Sequence, residues 1–442
     1  MGMVGEREGV QSRRAFLSTA AASVAGLVGS SCARSGGLVS CRHTSISLRH
    51  EVPLGKSVQQ VVERFNAAND DISVSLQFLN GDLEWDYEVK HLEEVPFWYT
   101  EGGQADIYYG RSTGWAHAAD AGLIVPLDDY LDSSTTLQRE DFHRSRYGKA
   151  LDTGTYRGKL WGIPLIADTY GLFCNTDLFH SAGLERLPAT WDETLSSAQR
   201  IKRDTNGDGK SEVFGYQQCA FQYALQVISM GVPFIDIRNK CVLLDSDLGV
   251  ESLDLYRRLL TTAPPHGEFE RGDTGMKMST PDGTYGMYRH LNYEVAPVPT
   301  GRIHINTYGH SDGAYGFCIS AKSDKRRQDA AWKVIEYLMS ENVYYDTVEE
   351  IQHLPVRYSI RTGERFVAYL EKHPHLRTFV EEYEWAMARP CVPEYRYLES
   401  VLSRVISPVH ADGGLSLTKD RLREILKRES ARINERLAKA TW

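Results

Sequence analysis

The stretch from Lys159 to Tyr216 constrains the fold more than any other part of the chain. Leu160 to Asn175 contains two short apolar runs that alternate with smaller or polar positions, which predicts two strands separated by a bend at Asp168. An acidic side chain at the centre of such a bend is a candidate ligand-binding group. Tyr170, immediately after the bend, is a second candidate.

A capped helix is predicted downstream of those strands. Thr190 precedes an apolar run of helical period, and Glu193, three residues later, completes the capping-box pattern. The same period places Leu195, Ala198 and Ile201 on the buried face. The chain therefore alternates strands and helices here.

Residues 45–79 give an independent indication of the fold class. The order is strand, helix, strand, and the apolar positions Val58, Val61, Val62 and Phe65 share one face of the helix. Two strands joined through a helix pair in parallel in an α/β protein. The sequence therefore predicts an α/β fold with a parallel sheet.

Composition excludes several classes of protein. The formal net charge of -9 over 442 residues argues against nucleic acid or an anionic membrane surface as the main partner. The seven cysteines form neither a C-x-x-C pair nor a zinc-spaced cluster, and their scatter fits buried thiols better than disulfides. Walker, dinucleotide-binding, HExxH and G-x-S-x-G motifs are absent from the sequence.

Residues 1–41 read as a targeting segment. Arg13 and Arg14 match a twin-arginine export pattern, and a short apolar run ends in small residues before Cys32, a candidate lipidation site. The polar residues after Cys32 would tether the folded part to a membrane surface. The alternative is a chance Arg pair ahead of an uncleaved anchor helix.

An ordered series of motifs resembles one known family. GKLWGIP (158–164), CNTDLF (174–179), AGL (182–184) and PATWDETLSSAQ (188–199) look like family 1 extracellular solute-binding proteins, the maltose-binding-protein-like receptors of ABC importers. Cys174 departs from the family, which usually has Tyr at that position. The resemblance extends from about residue 45 to the C-terminal part of the chain.

The resemblance implies a fold and a function. The fold would be a two-lobed, periplasmic-binding-protein-like α/β fold with a hinge and a central ligand cleft. One lobe would comprise residues 45–166 plus 317–360, and the other 167–316 plus 361–442. The protein would be a monomer outside the cytoplasm, in the periplasm or on the outer face of the membrane. It would need no cofactor and would deliver a solute, expected to be a sugar, to the transmembrane subunits of a permease.

Candidate ligand-binding residues follow from strand ends and from the resemblance. Residues after a strand's carboxyl end line the crevice of open α/β sheets. FERGDTGMKMSTPDGTY (269–285) resembles a family motif followed by a loop that ends in an aromatic residue, and Tyr285 at that place would stack on a sugar ring. The full set of candidates is His50, Glu51, Arg111, Ser112, Thr113, Asp168, Tyr170, Gln218, Asp282, Tyr285, Tyr395 and Arg396. Trp115, one turn further than Thr113, is expected in the core.

The segment DTNGDGKSE is a candidate calcium site. Asp204, Asn206, Asp208 and Glu212 alternate as in the first half of an EF-hand loop. Position twelve of that loop is Gly215 rather than Glu, so the bidentate closing ligand is missing. The alternative is a turn held by Asx hydrogen bonds.

A second class of function stays open at this point. An exported carbohydrate-active enzyme needs two carboxyl groups that flank one scissile bond at about 5–9 Å. Asp168 has no evident partner in the motifs. A binding protein that closes around its ligand is therefore favoured.

Overall fold

The computed structural model describes residues 43–50, 57–78, 105–218, 220–233, 235–264, 269–281, 288, 290–308, 313–413 and 416–442. Several sequence predictions lie outside these residues, namely the targeting segment 1–41 with Arg13, Arg14 and Cys32, and the candidates Glu51, Asp282 and Tyr285. None of the helices described is long and apolar enough to span a membrane.

Strands and short helices alternate along the described chain. The strands are β1 (Thr44–His50), β2 (Ile72–Phe78), β3 (Ile107–Arg111), β4 (Arg144–Ser145), β5 (Gly148–Lys149), β6 (Thr155–Tyr156), β7 (Lys159–Leu160), β8 (Ile163–Ile166), β9 (Gly171–Asn175), β10 (Phe214–Gln217), β11 (Thr274–Ser279), β12 (Tyr293–Ala296), β13 (Asn306–Thr307), β14 (Tyr315–Ile319) and β15 (Ala386–Met387). The α-helices are α1 (Ser57–Ala68), α2 (Trp115–Asp120), α3 (Asp128–Ser133), α4 (Thr176–Ser181), α5 (Trp191–Ile201), α6 (Ala220–Ser229), α7 (Asp247–Leu260), α8 (Lys325–Leu338), α9 (Glu341–Ile351), α10 (Tyr358–Thr362), α11 (Glu364–Lys372), α12 (Leu376–Glu382), α13 (Tyr395–Ala411) and α14 (Lys419–Leu437). Short 3-10 turns cover Ser112–Gly114, Arg139–Asp141, Ala150–Gly154, Phe269–Arg271 and Tyr383–Trp385.

A five-stranded sheet has the order β2-β1-β3-β14-β8. Strand β1 pairs in parallel with β2 and β3, while β14 runs antiparallel to β3 and β8. Helix α1 buries Val58, Val61, Val62 and Phe65, which confirms the predicted strand–helix–strand opening. We call this sheet, its helices α1, α2, α8 and α9, and the β6–β7 hairpin the five-stranded unit.

A second sheet has the order β10-β11-β9-β12. Helices α4 to α7 pack on it, and α13 and α14 pack in turn on α6 and α7. We call this sheet with those helices the four-stranded unit. Strand β9 lies between β11 and β12 and is antiparallel to both. The predicted pair of strands around Asp168 is therefore confirmed, but β8 and β9 belong to different sheets.

Helix α5 begins where the sequence predicts. The Thr190 hydroxyl accepts a hydrogen bond from the Glu193 N–H at 3.2 Å, and Leu195, Ala198 and Ile201 are buried. The reciprocal half of the capping box differs from the prediction. The Glu193 carboxylate accepts from the Ala189 N–H at 2.8 Å, one residue before the cap.

The glutamines and aromatic residues from Phe214 to Ile237 predict a helical segment from the sequence, but the structure begins it with a strand. Residues Phe214–Gln217 form β10 and pair with β11 before α6 begins at Ala220. A side chain on Gly215 would lie 2.2 Å from the Ala198 carbonyl oxygen, so the strand approaches α5 closely. Sheet pairing and close backbone contact decide the conformation here rather than the local periodicity.

Candidate functional site

The bend at Asp168 joins the two sheets and is held from a distant segment. The Asp168 side chain is 2% exposed. Its Oδ1 accepts a hydrogen bond from the Leu354 N–H at 2.8 Å, and its Oδ2 is bonded to Nδ1 of His353. Ile166 forms an isolated bridge with Pro355, which brings this return segment alongside β8. We call each segment that leads from one sheet to the other a crossing. The two carboxylate oxygens of Asp168 therefore tie the crossing at the bend to the crossing at His353 and Leu354.

A buried asparagine, Asn306, links the segment before β14 to the backbone just after the bend at Asp168. The Asn306 side-chain amide accepts from the Tyr170 N–H at 3.1 Å and donates to the Tyr170 carbonyl at 2.9 Å and to Oε2 of Glu382 at 2.8 Å. Glu382 is 2% exposed, and its Oε1 bonds to Nε2 of His304 at 2.8 Å. The Tyr170 ring is itself buried in the hydrophobic core of the four-stranded unit.

A neutral histidine lies in the same region. His143 is buried, its Nε2 lies 3.0 Å from the Tyr383 carbonyl, and its Nδ1 is bonded to the Arg361 guanidinium. Burial, reinforced by the Arg361 charge, lowers the pKa of His143 to about 4. A neutral ring that donates from Nε2 and accepts at Nδ1 satisfies both contacts.

Sequence reasoning missed the partners of the bend. His353, Asn306, Glu382 and His304 carry the hydrogen bonds that connect the crossings, yet none was a candidate. The only local signal is a polar residue beside a short apolar segment, as in His353 before Leu354. Such a signal is too common to select these positions.

The turn at the carboxyl end of β3 lies opposite a helix of the other unit. Arg111 is the last residue of β3, and Ser112–Gly114 leads into α2. The Ser112 hydroxyl accepts from the Ala314 N–H at 3.0 Å, whereas Thr113 is partly exposed. Trp115 is fully buried, which confirms its expected core role. Helix α13 contacts this turn.

Tyr395 and Arg396 are the first two residues of α13. The Tyr395 side chain is 3% exposed, and its hydroxyl accepts from the Arg389 guanidinium at 3.3 Å. The structure thus brings the element that carries Tyr395 and Arg396 against the turn that carries Ser112 and Thr113. These candidates come from the two different units.

Two more candidates occupy strand ends. His50 is the last residue of β1 and is paired with Tyr109 of β3, so it lies at the same sheet edge as Arg111. Gln218 follows β10, and its Oε1 is buried without a hydrogen-bond partner among the described residues. Both residues therefore lie at strand ends, and their contact with a ligand stays a prediction.

The acidic loop after α5 is hydrogen-bonded to its own backbone. Asp204 accepts from the N–H groups of Gly207 and Gly209, at 2.5 and 2.8 Å, and these bonds lower its pKa. The carboxylate of Glu212 accepts from the Thr205 N–H at 2.7 Å and from the Asn206 amide at 2.8 Å.

The same loop nevertheless clusters three carboxylates. One oxygen each from Asp204, Asp208 and Glu212 lie within 4.8 Å of one another. The side-chain Oδ1 of Asn206, the fourth expected ligand, accepts from the Asp208 N–H at 2.9 Å. The turn and the calcium interpretation are both compatible with this geometry.

The fold can now be compared with known proteins. The profile of the family described as bacterial extracellular solute-binding protein matches residues 50–343, more than half of the chain. The chain belongs to this family. Membership confirms the predicted family and its solute-binding function, and it implies a location outside the cytoplasm. The family and the relatives below are binding proteins rather than enzymes.

The similarity to individual relatives covers most of this solute-binding protein. A binding protein of Brucella abortus (strain 2308) is 22% identical over 380 residues, which is 81% of this chain and 86% of that protein. The cyclic alpha-maltosyl-1,6-maltose binding protein from Arthrobacter globiformis is 20% identical, with a TM-score of 0.72 over 89% of this chain and 100% of that one. A Mycobacterium tuberculosis protein in complex with glycerophosphocholine is 18% identical, with a TM-score of 0.72 over 90% and 99%. These neighbours confirm the predicted two-lobed fold.

Proposed function

We propose that the protein captures a small saccharide or polyol outside the cytoplasm and presents it to the transmembrane subunits of an ABC importer. The observation that carries this proposal is the approach of α13 to the Ser112–Gly114 turn. Two elements that carry candidate residues, one from each unit, come together there, as a ligand enclosed between two lobes requires. The named neighbours include a receptor for a cyclic oligosaccharide.

The proposed mechanism is closure of the two lobes about the chain crossings. The lobes comprise residues 45–166 plus 317–360 and residues 167–316 plus 361–442. A ligand shifts an open–closed equilibrium only by its differential affinity for the two states, so it must contact both lobes. The hydrogen bonds of Asp168 and Asn306 define the axis, because they connect crossings rather than the moving surfaces.

The ligand contacts are divided between the lobes. We assign the first side to His50, Glu51, Arg111, Ser112 and Thr113. The other side comprises Gln218, Asp282, Tyr285, Tyr395 and Arg396, with Tyr285 stacking on a sugar ring. Asp168 and Tyr170, at the bend between the lobes, complete the proposed ligand site. Because both oxygens of Asp168 are already bonded within the protein, a ligand hydroxyl would use only their remaining lone pairs.

A thermal-shift screen tests this function. Residues 33–442 are tested with oligosaccharides, monosaccharides, polyols and sugar phosphates, because binding to the native state raises the melting temperature by mass action. Thr113→Ala and Tyr285→Ala should each remove most of the shift from a binding sugar. Ser133→Ala, exposed and on neither of the two elements that approach each other, should retain it. A sugar phosphate that binds in place of neutral sugars would move the assignment toward Arg111 and a charged ligand.

The same screen can contradict the proposal. Absence of any shift from the sugars and polyols would remove the saccharide assignment. Hydrolysis or elimination products in the incubated samples would favour the alternative, an exported carbohydrate-active enzyme, which requires a second carboxylate near the scissile bond. A full shift retained by both variants would place the ligand elsewhere.

Export and anchoring complete the proposal. Arg13 and Arg14 direct twin-arginine export, and lipid on Cys32 retains the monomeric receptor at the outer face of the membrane. The family's extracellular description supports export. The lipid anchor rests on the sequence pattern alone.

We also propose that the Asp204–Glu212 loop binds calcium. The support is the proximity of three carboxylates, each of which retains lone pairs beyond its turn hydrogen bonds. The side-chain oxygen of Asn206 would be the fourth ligand, through the lone pair that it does not use in the turn. The ion would have a structural role, since the loop lies on the surface and not between the two units.

A further inference from the structure

One hairpin turn places a strained arginine at the edge of the five-stranded unit. Strands β6 and β7 pair antiparallel, and the two residues between them, Arg157 and Gly158, have φ values of 49° and 73°. Positive φ at both positions is the signature of a type I′ turn, in which Asn-Gly is preferred. An arginine is sterically unfavourable at the first of these positions.

The Arg157 side chain contacts both units. Its Nη1 lies 3.2 Å from Oδ1 of Asp120 in α2 of the five-stranded unit. Its Nη2 donates to the Thr441 hydroxyl at 3.2 Å. Thr441 follows α14, which packs on α7 and α13 of the four-stranded unit. Arg157 is thus a direct polar link between the units.

Trp442 forms a second contact beside the first. Its indole N–H donates to the Glu394 carboxylate, and the Lys240 ammonium lies 5.1 Å from the ring centroid. The ring packs both against the cluster that contains Trp115 and against the cluster of α13 and α14. Trp442 therefore lies where the two hydrophobic cores approach each other.

The pKa of Tyr156, in β6, reflects charges from both units. Burial raises the pKa of its hydroxyl, and the hydrogen bond to Asp120 and the nearby charge of Glu394 raise it further. Asp120 accepts that bond at 2.9 Å within the five-stranded unit, whereas Glu394 belongs to the segment before α13. The hairpin therefore faces Glu394 as well as Thr441.

The β6–β7 hairpin packs closely on the five-stranded unit. A side chain on Gly162, just after β7, would lie 2.3 Å from the Trp115 ring, so the backbone packs directly on that indole. The Leu160 N–H also donates to Asp128 at 2.9 Å. Arg157 consequently moves with the five-stranded unit, and Thr441 and Trp442 move with the other.

We propose that Arg157, on one side, and Glu394, Thr441 and Trp442, on the other, form an interlobe clasp that favours the closed arrangement. They are positioning residues for solute binding and do not touch the solute. This inference rests on the proposed closure of the two lobes. Contacts made only in the closed state raise its population, and the apparent dissociation constant falls in proportion.

Solution X-ray scattering of the solute-free protein, residues 33–442, tests the clasp. Arg157→Asn keeps a residue that suits the type I′ turn but removes both polar contacts, so folding is retained. Trp442→Ala removes the ring that packs on the cluster of Trp115. Trp442→Phe keeps a ring and removes only the N–H bond to Glu394, which lies within one unit, so it should scatter like wild type. Arg186→Asn is the matched control, because it removes the exposed Arg186–Glu193 pair, which lies within one unit.

The expected result is a larger radius of gyration for Arg157→Asn and Trp442→Ala than for wild type and Arg186→Asn, with unchanged melting temperature for Arg157→Asn. The Arg157–Asp120 pair lies within one unit, so only loss of the Arg157–Thr441 hydrogen bond should lower the closed-to-open ratio, by about two- to fivefold. Identical scattering from wild type and Arg157→Asn would overturn the clasp. If Trp442→Ala fails to fold, Arg157→Asn alone decides.

These outcomes are separable from those of the proposed function. The scattering comparison uses no solute, so failure to find a sugar ligand leaves it interpretable. Conversely, a receptor that binds a sugar while all variants scatter alike would retain the function and lose the clasp.

Discussion

At the scale of residues, the crossings between the sheets are held by buried polar side chains whose partners lie far along the chain. Asp168 bonds to Leu354, 186 residues away, and Asn306 bonds to Tyr170, 136 residues away. A buried polar group left without a partner costs about 1–3 kcal/mol, so these pairs fix the crossings relative to each other. The sequence indicated the bend at Asp168, but periodicity and spacing carry no information about such distant partners.

The buried His143 should make stability depend on pH. Its folded pKa of about 4 lies below the 6.5 of an ordinary histidine, so the unfolded state takes up a proton first as the pH falls. Its contribution is present above pH 6.5 and is lost progressively toward pH 4. Between pH 7 and 5 the expected loss is about 2 kcal/mol of unfolding free energy.

Urea denaturation at several pH values measures that loss. His143→Gln retains a donor and an acceptor but no titrating group, so its unfolding free energy should fall less between pH 7 and 5 than that of wild type. Replacement of the exposed His180 by Gln is the control and should follow wild type. Parallel curves for wild type and His143→Gln would show that another group causes the pH dependence.

At the scale of elements, local signals succeed where an element buries one face and is closed by its own caps. Helix α5 meets both conditions and helix α1 meets the first, and the buried positions of both were predicted. Strand β10 meets neither, because its conformation depends on pairing with β11 and on the approach of Gly215 to α5. Elements that depend on distant neighbours are therefore the ones the sequence mispredicts.

The loop after α5 gives a prediction at this scale. If Asp204, Asp208 and Glu212 bind calcium, added calcium should raise the melting temperature and a chelator should return it to its original value. An ion at 100 times its dissociation constant stabilises the folded state by about 2.7 kcal/mol. Asp208→Asn should abolish the rise, because it removes one carboxylate charge while retaining an acceptor for the Lys210 N–H. An unchanged melting temperature would leave a turn held by its own hydrogen bonds.

At the scale of the whole molecule, the order of short motifs predicted the family and the two-lobed fold, which depend on many weak signals along the chain. The ligand site is less accessible to such reasoning. Ser112 was selected from a strand end and Tyr395 from the resemblance, and the structure places their elements against each other. Which side chains face the solute depends on the closed arrangement of both lobes, so their roles stay predictions.

Export is a property of the whole molecule that the first residues should control. Arginine offers a planar fork of donors that lysine lacks, so replacing both Arg13 and Arg14 by Lys retains the charge but loses bidentate recognition. We expect the variant protein to accumulate in the cytoplasm, as measured by cell fractionation. Arg7→Lys, outside the pair, is the matched control and should be exported normally. Normal export of the double variant would contradict the twin-arginine route and leave a general signal peptide, while mass spectrometry of the exported chain would show whether Cys32 carries lipid.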